Sequence, residues 1–319
     1  MTRRPLCIVV CGDPMDEVGS QFGSFVDWFA RLVGDLPVSP VAVDAHAPRL
    51  PRAREMAGIV ITGSPASVAA PEAWMGGVAE LMVAARAAGT PVFGVCFGHQ
   101  LLAFAAGGQV IQNPTGWEMG TYEVELLPAA AKEPLTRPLA TAEGPGSSPS
   151  EERPGSSPSG EARFLANFSH RDCVVAATLP AEVTVLAKNA RADVQMLAWG
   201  ETSFGVQFHP EFSADITRAY IAARADELIE DLARRGARWG ELSRPERDKG
   251  GRSPTGVSPD SSGQVRALNV RGGEGPPTIG ADERNAPDDH PEALLPRVKE
   301  CPDSEAIFQR FITGYVLRA

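Results

Sequence analysis

Four short, mainly apolar runs, at 6–10, 41–43, 58–61 and 92–95, alternate with helical stretches through the first 106 residues. A strand with one face in water alternates apolar and polar side chains, whereas a strand covered on both faces is apolar throughout. Between the runs, 21–33 places Phe22, Phe25, Val26, Phe29 and Leu32 on one side of a helix. A second helix at 72–88 stops at Gly89-Thr90-Pro91, and a third, after the fourth run, stops at Gly107-Gly108. Apolar strands separated by helices predict an α/β protein: a mainly parallel, mixed central sheet with helices on both faces, a three-layer sandwich.

Beyond residue 109 the strands shorten, at 122–127, 163–168, 183–187, 194–198 and 204–208. A helix follows at 214–235, with Ile216, Tyr220, Ile221, Leu228 and Leu232 near a helical period. Two tracts interrupt this order. Residues 129–161 are rich in Pro, Gly, Ser and Glu and carry Pro-Gly-Ser-Ser-Pro-Ser twice, at 145–150 and 154–159. Such a composition buries too little apolar surface to offset ordering, so it reads as a disordered surface insertion. Residues 236–291 read as a second low-complexity, disordered segment. The expected organisation is one domain over 1–235 and a final helix within 303–319. That helix carries Ile307, Phe308, Phe311, Ile312 and Val316 on one side and is expected to dock back on the core.

Forty acidic side chains against thirty basic ones give a net charge of −10. That sign argues against a surface built to grip nucleic-acid phosphates or anionic lipid. No run approaches the roughly 18 apolar residues of a membrane span, and the segment after Arg3-Arg4-Pro5 reads as a strand rather than a signal peptide. Cys7, Cys11, Cys96, Cys173 and Cys301 are odd in number and lack paired spacing, so neither a disulfide framework nor a metal site is expected. A reducing, cytoplasmic location is the expectation.

Chemistry concentrates in two places. In Gly94-Val95-Cys96-Phe97-Gly98-His99-Gln100 a strand runs directly into a helix through a cysteine, with a glycine two residues to either side. This is the pattern of a nucleophile elbow with sulfur in place of oxygen; the glycines permit a sharp turn, and the helix N-terminus favours a thiolate. Far downstream, Phe204-Gly205-Val206-Gln207-Phe208-His209-Pro210-Glu211 ends a strand in a histidine, a proline and a glutamate. A nucleophilic thiol needs a base, for which His209 is suited, and the base needs an orienting carboxylate, for which Glu211 is suited.

Together with Ile61-Thr62-Gly63-Ser64-Pro65-Ala66-Ser67-Val68, Gly116-Trp117-Glu118-Met119-Gly120 and Ser169-His170-Arg171-Asp172, these motifs resemble the class I, triad-type glutamine amidotransferase domain. They resemble especially the stand-alone members similar to the amidotransferase domain of GMP synthase. The resemblance covers about 1–128 and 162–235 together with the last helix, and implies a flavodoxin-like sandwich that hydrolyses glutamine through a γ-glutamyl thioester. Carried over residue by residue, it implies Cys96 as nucleophile, His209 as acid and base, and Glu211 as the orienting carboxylate. The backbone N–H groups of Phe97 and of Gly63 or its neighbour would form the oxyanion hole. Gln100, Ser169, the backbone of Arg171, and Asp172 would hold the glutamyl group. His99 and His170 fall near the site without a catalytic role, and Glu118 reads as structural.

No Gly-x-x-x-x-Gly-Lys-Ser/Thr loop and no Ser-Gly-Gly-x-Asp-Ser loop is present, and Asp260-Ser261-Ser262-Gly263 is a poor imitation of the latter. No cofactor is expected. The expected function is hydrolysis of L-glutamine to glutamate and ammonia, with a separate synthase subunit as a partner in trans. Two alternatives stand beside it: a stand-alone hydrolase of another γ-glutamyl compound, and a non-enzymatic regulator that kept the fold.

Overall fold

The computed structural model describes residues 4–140, 162–242 and 289–319. In chain order the elements are β1 (Leu6–Val10), α1 (Asp16–Phe22), α2 (Phe25–Val33), β2 (Pro40–Asp44), β3 (Gly58–Ile61), α3 (Ala73–Ala88), β4 (Val92–Val95) and α4 (Phe97–Ala105). There follow β5 (Val110–Gln112), β6 (Glu118–Leu126), α5 (Arg137–Ala140), β7 (Arg163–His170), β8 (Asp172–Val174), β9 (Val183–Lys188), β10 (Met196–Trp199) and β11 (Ser203–Val206). The chain closes with α6 (Ala214–Ala223), α7 (Ala225–Leu242), α8 (Pro291–Leu294) and α9 (Pro302–Gly314).

Nine strands form one sheet in the order β2-β1-β3-β4-β11-β10-β9-β6-β7. The pairings from β2 through β4 to β11 are parallel, and those beyond β11 are antiparallel. This is the mixed, mainly parallel α/β arrangement expected from the apolar runs. Alternate residues divide between the faces: Leu6, Ile8, Val60 and Phe93 pack with α2 and α9, while Cys7, Val9, Ile59 and Ile61 pack with α3 and α4. β2 is the exposed edge, where a proline and a terminal aspartate blunt further pairing. No helix among the described residues is long and apolar enough to cross a membrane.

Several boundaries differ from the expectation. The 21–33 helix is two helices, because Gly23 turns at φ 85° and Ser24 starts α2 through a reciprocal cap with Asp27. The 214–235 helix is likewise two, broken at Arg224, and the second continues to Leu242. The 129–161 tract does not begin at 129. Residues 128–140 form a 3-10 turn and α5, with Ala130, Leu135 and Thr136 fully buried and the Thr136 hydroxyl donating to the Ala130 carbonyl at 2.7 Å. The apolar residues at its start outweigh the composition of the tract as a whole. The repeats at 145–150 and 154–159 lie outside the described residues, as does most of 236–291. The last helix, α9, does pack on the core, with Ile307, Phe308, Phe311 and Ile312 fully buried.

Candidate active site

Cys96 stands between β4 and α4 at φ 51°, the only non-glycine residue with positive φ among those described. A β-branched or bulky residue would be strained there, and a strained backbone that persists is held by its surroundings. The Cys96 N–H donates to Val206 O at 2.8 Å, and Gln100 N–H returns to Cys96 O at 3.0 Å. The two flanking glycines are demanded by close approach. A Cβ on Gly94 would lie 2.4 Å from Gly98 O, and one on Gly98 would lie 2.5 Å from Ile61 O.

β11 runs beside β4, so the chain leaving its end arrives next to the elbow. His209 lies there, 3% exposed, with Nδ1 2.7 Å from Glu211 Oε1. Its ring stacks on Phe212 at 3.9 Å and 15°, and Phe212 stacks on Tyr220 at 4.9 Å. Its backbone N–H donates to Asn167 O at 2.8 Å. The ring is thus fixed on three sides, and the Cys96 side chain is its remaining polar neighbour. Burial opposes a charge on this imidazole. The Glu211 carboxylate and then the Cys96 sulfur outweigh burial and raise His209 to about 10.

Cys96, Ser169 and His209 line one cavity of about 170 Å³, together with Asp13, Pro14, Met15, Asp16, Phe25, Ser64, Pro65, Phe212, Tyr220 and Arg224. A larger groove of about 700 Å³, between the 45–54 segment and α3, contains no cysteine. Gly63 lies against the imidazole, since a Cβ there would be 3.1 Å from His209 Cε1. Phe97 opens α4, where its N–H has no intrahelical acceptor.

The other expected contacts sit differently. Ser169 O accepts from Cys96 Sγ at 3.8 Å. Gln100 Nε2 is held inside the protein, donating to Asp172 O at 3.0 Å and Gln207 Oε1 at 3.1 Å. Asp172 accepts from the Ser67 hydroxyl, and the Arg171 carbonyl accepts from Asn113 N–H at 2.8 Å. Gln100, Arg171 and Asp172 do not line the cavity.

Sequence reasoning missed what holds this turn. Glu118 and His170 face each other across β6 and β7. The buried Glu118 carboxylate accepts from His170 Nε2 at 2.8 Å, Gln195 Nε2 at 2.8 Å and the Asn189 amide, while His170 Nδ1 meets Asp172 O at 2.9 Å. His99, by contrast, packs behind the elbow against Gly205, and burial pulls it down to about 4, a neutral ring. Burial also pushes the thiols of Cys7, Cys173 and Cys301 up to about 12, and that of Cys11 higher still.

The sheet thus brings a thiol and an imidazole to one cavity at a strand–helix elbow, with a carboxylate on the imidazole. Residues 20–225 match the family described as glutamine amidotransferase class-I, more than half of the chain, and the chain belongs to that family. It is 34% identical over 195 residues to a GMP synthase [glutamine-hydrolyzing] of Aeropyrum pernix, covering 59% of this chain but only 31% of that one. It is 29% identical over 177 residues to a γ-glutamyl-L-1-hydroxyisopropylamide hydrolase of Pseudomonas sp., covering 54% of this chain and 53% of that one. The chain thus spans about a third to a half of the length of these relatives. Among solved structures, a glutamine amido transferase from Methylobacillus flagellatus shares the fold, with a TM-score of 0.54 at 18% identity over 98% of this chain and 96% of that one.

Proposed function

We propose that Cys96, His209 and Glu211 are a catalytic triad that hydrolyses the side-chain amide of L-glutamine, or a related γ-glutamyl amide, to glutamate and ammonia or an amine. The observation that carries this reading is the shared cavity: a thiol at a left-handed elbow opens into the same space as a buried imidazole backed at 2.7 Å by a carboxylate. The thiolate attacks the γ-carbonyl carbon, and the oxyanion that forms accepts from the N–H groups of Phe97 and Gly63. His209 Nε2 passes its proton to the leaving nitrogen as the C–N bond breaks. Water, deprotonated by His209, then releases glutamate from the thioester. Glu211 keeps the proton-bearing Nδ1 fixed and Nε2 aimed inward. Ser169, Asp172, Gln100 and the backbone of Arg171 hold the glutamyl head, once substrate displaces the Ser67–Asp172 contact.

The match to part of a GMP synthase supports delivery of ammonia to a synthase partner, and the match to a γ-glutamylamide hydrolase supports a free-standing hydrolase. One assay separates them: purified protein with glutamine and a small panel of γ-glutamyl dipeptides, reading ammonia and glutamate. Cys96→Ser is expected to abolish release, and His209→Ala to lower it by about 10²- to 10⁴-fold. Wild-type turnover by Cys96→Ser overturns the triad.

A further inference from the structure

The peptide unit after Gly63 needs holding from outside. A glycine has no Cβ to restrict the plane that follows it, and in a planar trans peptide the C=O and the next N–H point to opposite sides. The Gly63–Ser64 unit sits beside the nucleophile and its base: Ser64 lines the cavity of Cys96 and His209, and a Cβ on Gly63 would be 3.1 Å from His209 Cε1. With its carbonyl turned toward that cavity, the unit would set a partial negative charge against the oxyanion. Turned the other way, it presents N–H groups.

One hydroxyl fixes the choice. Thr62 is fully buried and does not line the cavity. Its Oγ1 donates to Gly63 O at 2.9 Å and accepts from Cys11 N–H at 3.0 Å. A hydroxyl has a single proton; here the Cys11 N–H occupies a lone pair, and the proton goes to the Gly63 carbonyl. On the far side of the glycine, the Ser64 hydroxyl donates to Cys11 O at 2.7 Å and accepts from Ala66 N–H at 3.1 Å. Cys11 follows directly on β1, so both of its backbone groups tie the loop to the sheet, one on either side of Gly63. The Ser64 N–H, opposite the held carbonyl, makes no hydrogen bond among the described residues.

We infer that Thr62 is a positioning residue for the oxyanion hole: its hydroxyl keeps the Gly63 carbonyl turned away from the reacting carbon, so that only N–H groups of this loop face the oxyanion. The inference rests on the proposed amide hydrolysis and adds no step to it. Thr62 touches no substrate atom and acts through the Gly63–Ser64 peptide.

Thr62→Val removes the hydroxyl at nearly constant size, and Thr62→Ser keeps it. Two rates separate a misaligned oxyanion hole from a damaged site. Glutamine turnover builds the oxyanion; alkylation of Cys96 by iodoacetamide, in which sulfur bonds to carbon as iodide leaves, builds none. Thr62→Val is expected to lower kcat by about 10- to 100-fold, less than the loss of a whole donor. Its KM should stay within about threefold of wild type, and its alkylation rate within about twofold. Thr62→Ser is expected to recover most of kcat. Wild-type kcat in Thr62→Val overturns the inference, as does an equal loss of turnover and alkylation, or a Thr62→Ser protein as slow as Thr62→Val. If urea unfolding shows that Thr62→Val does not fold, Thr62→Ala carries the same expectations; failure of both to fold makes the hydroxyl a structural group and also overturns the inference. In each of these cases the wild type is active. A wild-type protein that cleaves neither glutamine nor a γ-glutamyl amide overturns the hydrolase reading, and the role of Thr62 falls with it.

Discussion

His209 owes its proton to neighbours rather than to its position in the chain. Raised from the usual 6.5 to about 10 by Glu211 and Cys96 against the effect of burial, it contributes stability in full below about pH 6.5. That contribution is lost as the pH climbs through about 10. NMR of the imidazole is expected to show His209 still protonated at pH 8 in the wild type. Its midpoint should fall in both Cys96→Ala and Glu211→Gln; a neutral wild-type ring at pH 7 contradicts this. Glu118 acts one residue further away. Burial opposes its charge, but hydrogen bonding and the charge of His170, followed by Asn189, hold its carboxyl below the usual range. Both His170 nitrogens face acceptor oxygens, those of Glu118 and of the Asp172 carbonyl. Glu118→Gln replaces a carboxylate that accepts from three side chains and is expected to cost about 2 kcal/mol of stability. Because Asp172 O is what His170 holds, KM for glutamine should rise more than kcat falls. Equal loss in both, or none, contradicts a positioning role.

The β4–α4 elbow was legible in the sequence because its requirements are local. Glycines at 94 and 98 bracket the cysteine, and each has backbone closer than 2.6 Å to where its Cβ would stand. Gly94→Ala or Gly98→Ala is expected to destabilise by at least about 2 kcal/mol and to remove activity by moving Cys96. A urea midpoint close to that of the wild type contradicts the close approach. The parallel strands were legible for a related reason, since burial on both faces leaves an apolar run in the chain itself. What could not be read depends on pairing between distant segments. β5 and β8 have three residues each and exist because Val110–Gln112 meets Asp172–Val174 across an antiparallel register. Glu118 and His170 meet only because β6 and β7 align them, and neither residue carries a local mark of its partner. The Phe212 ring was in plain view three residues after His209, but its stacking on the imidazole depends on the turn between them.

At the scale of the molecule, the C-terminal segment joins the core to the candidate site. Phe308 and Phe311 of α9 pack against Phe29, Phe93 and Phe204, with ring centroids 5.1 to 6.5 Å apart. Just before α9, the Lys299 carbonyl accepts from Asn167 Nδ2 at 3.3 Å. The same amide donates to Phe212 O, and the Asn167 carbonyl holds the His209 N–H. Glu300 accepts from Ala214 N–H at 3.1 Å, at the start of α6. Farther back, the buried Asp289 carboxylate meets Arg191 and Arg235, and Arg191 also donates to Trp117 O at 3.1 Å. A chain cut before residue 289 therefore loses more than a surface helix. It exposes the aromatic face of the sheet, frees one side of Asn167, and leaves the buried Arg191 without its carboxylate. Single truncations at this depth, such as Phe308→Ala, cost about 3–5 kcal/mol, a large fraction of the roughly 5–15 kcal/mol that stabilises a domain. Loss of the whole segment is thus expected to abolish cooperative unfolding along with glutaminase turnover. Replacing 141–161 by a short Gly-Ser linker is the control, because its polar repeats have little apolar surface to contribute to a core; that chain is expected to keep both. A cleanly folded, active protein lacking 289–319 contradicts the first expectation, and collapse of the linker variant contradicts the second.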